Sequence, residues 1–144
     1  MTIDIYAIPV SLYCAKLRIL LRHKAIAWHE LTPPGGYGSS AYKAIVPSGN
    51  LPALVDGDLV VADSEAIAEY LDERFPDPPM LPNALPQRAK TRERSRFHDT
   101  RLEPALRTLF PTIARNRRDP ALAAAQSKQI SQRLAQLAIM LEGT

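Results

Sequence analysis

Residues 47–71, PSGNLPALVDGDLVVADSEAIAEYL, constrain the fold more than any other part of the chain. Ala53-Leu54-Val55 and Leu59-Val60-Val61 are short β-prone runs. Asp56-Gly57 lies between them, and Asp-Gly favours the positive φ angles of a two-residue hairpin turn. Proline cannot donate into a ladder, so Pro52 belongs at a strand start or on an edge. An X-Pro bond also accepts the cis form, which turns the backbone groups of Leu51 outward. Asp63-Ser64 then precedes Ala66, Ile67, Tyr70 and Leu71 at helical spacing, as a capped helix start does.

The upstream sequence supplies the rest of the sheet. Residues 3–8 alternate and predict a first strand. Ser11 precedes Leu12, Ala15, Leu17, Ile19, Leu20 and Leu21, which predict a helix to about residue 24. Residues 27–31 read as a second strand. A strand, helix and strand within so short a stretch implies a right-handed parallel crossover. A loop at 33–38 holds two prolines and three glycines, and a short helix at 39–45 follows. The expected unit is βαβ-α-ββα. Residues 76–86 then contain five prolines, too many for a helix, and read as a linker over the surface. Beyond it the pattern is helical. One helix is expected over 86–109 with a kink or break at Pro104, and another over 120–142. Pro120 suits a first turn and Gly143 a C′ position.

Composition excludes several function classes. Apolar content of 46% and charge of 23% are ordinary for a soluble globular protein. No run of eighteen apolar residues suggests a membrane span, and the N-terminus lacks a basic region ahead of an apolar one. A cytoplasmic protein without membrane contact is expected. Cys14 is the only cysteine, so neither an internal disulfide nor a four-cysteine zinc site is possible. His23, His29 and His98 match no metal motif, and no metal is expected. The net charge is +3, with much of the basic excess after residue 86. Arg88, Lys90, Arg92, Arg94 and Arg96 alternate, which spreads them around a helix, and no aromatic residues interleave. They read as a solvated helix surface, so no nucleic-acid partner is expected.

A thioredoxin-like α/β domain, a proline-bearing linker and an all-α domain together resemble the cytosolic glutathione transferases. The motifs are most similar to the serine-type phi, theta and zeta classes. The resemblance implies a glutathione-binding domain at 1–77, a linker at 78–86 and a partial helical domain at 87–144. Family members usually carry a larger helical bundle. It includes a buried helix opened by Ser/Thr-x-x-Asp, and this sequence stops before such a point. The helical domain is therefore expected to be either naturally short or truncated.

The resemblance also assigns roles. Ser11, at the mouth of the first helix, matches the family position that faces the glutathione sulfur. A hydrogen bond from it to a thiolate contributes about 1.5–3 kcal/mol, which lowers a thiol pKa by about 1–2. The helix N-terminus adds about 0.5 kcal/mol. The structural alternative is a plain N-cap. Leu51, before Pro52, matches the residue whose backbone pairs with the cysteinyl unit, a β-augmentation on a tripeptide scale. The family shows Asn-Pro-x-Gly-(Lys/Gln)-Val-Pro here. This chain has Val46-Pro47-Ser48-Gly49-Asn50-Leu51-Pro52, so Asn50 stands where a longer side chain is usual. Asp63 and Ser64 match the acid-Ser pair that binds the γ-glutamyl group: carboxylate at Ser64 and the helix N–H groups, ammonium at Asp63. Lys43, Tyr42 and Lys16 are weaker candidates: a cation is wanted near the glycine carboxylate and Lys43 lies in a suitable segment, the alternative being a solvated lysine. Cys14, one turn into the helix, reads as a small core residue with a minor redox alternative. Tyr13, Phe97, His98 and Arg101 are the weak candidates for an electrophile pocket.

Three functions remain open on this reading. The first is a glutathione transferase that activates the thiol of glutathione, its co-substrate, against a small hydrophobic electrophile in a detoxification role. The second is a non-catalytic glutathione-binding or interaction module of the same fold. The third, a glutaredoxin-like thiol oxidoreductase, is disfavoured by serine at the helix mouth. Ile130, Leu134, Leu137 and Leu141 predict one apolar stripe on the last helix. A homodimer that covers this stripe at least in part is expected.

Overall fold

A computed structural model describes residues 2–142. Four strands, β1 (Ile3–Tyr6), β2 (Trp28–Leu31), β3 (Ala53–Asp56) and β4 (Leu59–Val61), form one sheet in the order β2-β1-β3-β4. β1 and β2 are parallel, with Tyr6 opposite Leu31. β1 and β3 are antiparallel, with Tyr6 opposite Ala53, and β3 pairs antiparallel with β4, Leu54 opposite Val61. This register has a direct consequence for function. β1, β2 and β4 all end, and β3 begins, at the same edge of the sheet.

Helices α1 (Leu12–His23), α2 (Ser40–Lys43) and α3 (Ser64–Arg74) complete the thioredoxin-like α/β unit. Ile5, Leu17, Leu21, Leu54, Ile67 and Leu71 are among the fully buried side chains of its core. The hairpin turn has Gly57 at φ 62°, as its Asp-Gly sequence requires. Asp56, before that glycine, accepts the Tyr70 hydroxyl at 2.7 Å and pairs with Arg74 Nε at 3.0 Å, which seats α3 on the hairpin.

α1 and α3 lie side by side. Lys16 pairs with Glu65, and Lys24 pairs with Asp72 at 2.6 Å. Residue numbers rise together in these two pairs, so the helices run in the same direction and their N-termini are neighbours. The Lys24 side chain is fully buried, and its ammonium also donates to the Phe75 carbonyl at 2.7 Å and the Pro78 carbonyl at 2.8 Å. Asp72 Oδ1 accepts the Met80 N–H at 2.9 Å as well. The start of the proline-rich segment is therefore tied back to the α/β unit rather than leaving it as a free linker.

The chain divides into two compact units between Met80 and Leu81. The second is helical: α4 (Leu85–Phe97), a π-helical turn (His98–Leu102), α5 (Glu103–Arg107), two 3-10 turns and α6 (Pro120–Leu141). The single helix expected over 86–109 is thus interrupted. Pro104 lacks an N–H to continue the ladder, and it takes an early position in α5 immediately after the widened turn. Buried Glu103 is held by Arg107 at 2.9 Å.

α6 packs on α4, α5 and the π turn. Its half-buried positions are Leu122, Gln126, Ile130, Arg133, Leu137 and Met140. The expected stripe of Ile130, Leu134, Leu137 and Leu141 is therefore split. Ile130 and Leu137 face the neighbouring helices, whereas Leu134 and Leu141 are each 49% exposed. Arg94 Nε donates to the Met140 carbonyl at 2.9 Å, which fixes this rotation at the C-terminal end. Asp119 caps α6 through the Leu122 N–H at 2.9 Å, and Gly143 lies outside the described residues.

Candidate functional site

Three loops meet at the sheet edge where β1, β2 and β4 end. The first follows β1 and places Ser11 as the N-cap of α1. Its Oγ accepts the Cys14 N–H at 3.2 Å. Capping uses the oxygen as acceptor, so the hydroxyl proton has no protein acceptor among the described residues and can be donated outward. The capping and thiol-facing readings of Ser11 are thus compatible. Cys14 itself is fully buried in the core, away from the helix mouth.

The second loop leads into β3. The Leu51–Pro52 bond is cis. Leu51 and Pro52 are buried, yet among the described residues neither the N–H nor the C=O of Leu51 has a hydrogen-bond partner. Buried backbone groups are nearly always paired, so this pair of open groups marks a place where an extended peptide can complete the ladder. The neighbouring Asn50 is exposed, and its carbonyl accepts the Tyr42 hydroxyl at 2.7 Å. Tyr42 is fully buried and stacks edge-on with Tyr6 at 5.4 Å. Burial pushes its phenol well above the usual tyrosine range, so it serves as a neutral donor that holds the loop. Lys43 is exposed, and its aliphatic stem crosses Gly49 so closely that a Cβ there would stand 3.1 Å from Lys43 Cε.

The third loop follows β4 and opens α3. Asp63 Oδ1 accepts the N–H groups of Glu65 at 2.9 Å and Ala66 at 3.1 Å. Ser64 is only 8% exposed, and its hydroxyl has no partner among the described residues. An almost buried, unpaired hydroxyl at a helix N-terminus is suited to accept an anion, together with its own N–H. Ser11, Leu51, Pro52, Asn50, Asp63 and Ser64 are therefore gathered at one edge. Asp63 Oδ2 is left for a cation.

The other candidates are distributed. Tyr13 is half-buried in the first turn of α1. Phe97 ends α4, while His98 and Arg101 lie in the π turn, with His98 Nδ1 2.9 Å from Asp99. Among the described residues, no three histidine, cysteine or acidic side chains could hold a metal together, and no helix is long and apolar enough to cross a membrane. Glu65 was not singled out by the sequence. A helix-start acid so close to Ser64 is the signal that could have found it.

Both the sequence and the fold have counterparts among known proteins. The family model described as "Glutathione S-transferase, N-terminal domain" matches residues 5–79, just over half of the chain. The chain belongs to the glutathione S-transferase family. It is similar to Glutathione S-transferase Z1 of Arabidopsis thaliana, with 45% identity over 80 residues, covering 53% of this chain and 36% of that protein. It is also similar to a stringent starvation protein A homolog of Pasteurella multocida, with 39% identity over 88 residues, covering 61% and 42%. Among solved structures, the theta class glutathione S-transferase of Xanthomonas axonopodis pv. citri, with glutathione bound, superimposes with a TM-score of 0.81. It is 28% identical, with 94% of this chain and 68% of that one covered. The chain spans about two fifths of the length of the curated relatives it matches.

Proposed function

We propose that this chain binds glutathione at the sheet edge and acts as a glutathione transferase, activating the thiol for attack on a small hydrophobic electrophile in a cytoplasmic detoxification role. The observation that carries the reading is the convergence of three open groups: the Ser11 hydroxyl proton, the Leu51 backbone pair and the buried Ser64 hydroxyl. They match the three functional parts of the tripeptide. The thiol meets Ser11, the cysteinyl backbone pairs with Leu51, and the γ-glutamyl group takes its carboxylate to Ser64 and its ammonium to Asp63. Lys43, whose stem crosses Gly49, receives the glycine carboxylate. Ser11 donates more strongly to thiolate than to thiol and so favours the reactive form. No cofactor or metal enters this scheme.

Calorimetry with glutathione and a conjugation assay with a chromogenic aryl halide test the reading together. Binding with turnover supports it, and absence of binding removes it. The match to a stringent starvation protein A homolog, a protein not named for a transferase activity, favours a second reading as a non-catalytic module. Binding without turnover selects that one. We assign Tyr13 to electrophile contact, and single alanine variants of Tyr13, Phe97, His98 and Arg101 test each by the KM of the electrophile. We further propose residues 1–77 as the glutathione-binding domain, 78–86 as the linker and 87–144 as the partial helical domain. A homodimer is expected from the exposed Leu134 and Leu141. Light scattering at micromolar concentration decides, since a uniform monomer of 15.9 kDa would rule it out.

A further inference from the structure

The two ion pairs between α1 and α3 differ in their surroundings. Lys24 is buried at the far ends of the helices and satisfied by one carboxylate and two carbonyls. Lys16 pairs with Glu65 near the N-termini, where the two side chains are 30% and 27% exposed. Glu65 immediately follows Ser64, and its own N–H is already taken by Asp63. A carboxylate thus enters the same first turn of α3 that the proposed site offers to the ligand's carboxylate. Two like charges in a partly buried setting repel far more than they would in bulk water. α1 follows β1 and α3 follows β4, two strands separated by β3, so the two helix starts do not stand on adjacent strands. The pair across the helices supplies both the neutralising charge and a cross-tie at that end.

We propose that Lys16 is a positioning residue for this site: by pairing with Glu65 it masks the carboxylate beside Ser64 and holds the start of α3 next to the start of α1. The inference rests on the proposed glutathione site. It makes Lys16 and Glu65 unequal, which a purely structural ion pair would not. Removing Lys16 takes away a positive charge that offsets the Glu65 carboxylate, one residue from Ser64. Removing the charge of Glu65 leaves a cation that attracts it.

Calorimetric titration of the full chain with glutathione tests this, with circular dichroism to verify folding. Lys16→Met is expected to bind about tenfold more weakly, the scale of one uncompensated charge at short range. Glu65→Gln is expected to bind as tightly as the parent or more tightly. The double variant Lys16→Met/Glu65→Gln should return to within about threefold of the parent, the signature of coupled sites. Equal affinity of Lys16→Met and parent overturns the inference while leaving the site standing. So does a double variant no better than Lys16→Met. A parent chain that binds no glutathione overturns both. If Lys16→Met does not fold, Glu65→Gln decides alone, and a loss beyond about threefold overturns the proposal.

Discussion

In the first unit fourteen apolar side chains form one buried cluster, whereas in the second Leu102 and Ala105 are the buried apolar residues among those described. The first unit therefore fixes its loops from beneath, through a packed interior. Its site residues stand on helix starts and strand ends that cannot shift without disturbing that core. The second unit is held by half-buried faces and polar ties such as Arg94 to the Met140 carbonyl and Arg107 to Glu103. Position is thus determined tightly where the glutathione site is proposed and loosely on α6. Substitutions should reveal the difference as a gradient of cost.

The largest effect is expected at Lys24. Lys24→Met leaves Asp72 and two carbonyls without their cation, and losing one partner of a buried pair costs about 3–5 kcal/mol. Urea unfolding followed by circular dichroism measures it, and proteolysis around residues 75–80 should speed up. Next, Leu71→Ala in the core should cost about 2–5 kcal/mol. Leu134→Ala on α6, 49% exposed, should fall within about 0.5 kcal/mol. Equal costs for these two would erase the contrast between the units.

Smaller effects sharpen the comparison inside the first unit. Ser64→Ala should weaken glutathione affinity by about 1 kcal/mol or more, as loss of a hydrogen bond to charge does, with folding stability unchanged. Unchanged calorimetric affinity in both Ser64→Ala and Asp63→Ala would remove this part of the site. Ser11→Ala should raise the pKa of the bound thiol by about 1, read from thiolate absorbance, and slow conjugation more than it weakens binding. The same titration midpoint in variant and parent would return Ser11 to a plain cap.

A small electrostatic effect is expected at the pair of Arg18 and Glu30, 2.7 Å apart. The hydrogen bond from Arg18 holds the Glu30 carboxyl below its ordinary range. The stability it contributes is present above the unfolded pKa and lost as pH falls through the lowered folded value. Arg18→Ala should flatten that part of the acid-unfolding curve by about 1 kcal/mol or less.

The sequence by itself determined the order of elements in the first unit, because local chemistry decides them. Asp56-Gly57 admits a tight turn, Pro52 refuses a central ladder position, Ser11 and Asp63 cap helices, and Cys14 has no partner for a disulfide. It also pointed to Ser11, Leu51 and Ser64 through motif resemblance. Their gathering at one edge was decided by the strand register, a non-local pairing that no window of sequence contains. The burial of Lys24 was decided the same way, since its acceptors lie about fifty residues further along the chain. The face that α6 buries was likewise a tertiary choice. Apolar periodicity favoured Leu134 and Leu141, but ridges on α4 and α5 and the Arg94 tie turned Gln126, Arg133 and Met140 inward instead. A helix with apolar residues on two adjacent faces has no intrinsic preference between them. Only the partner surface supplies one.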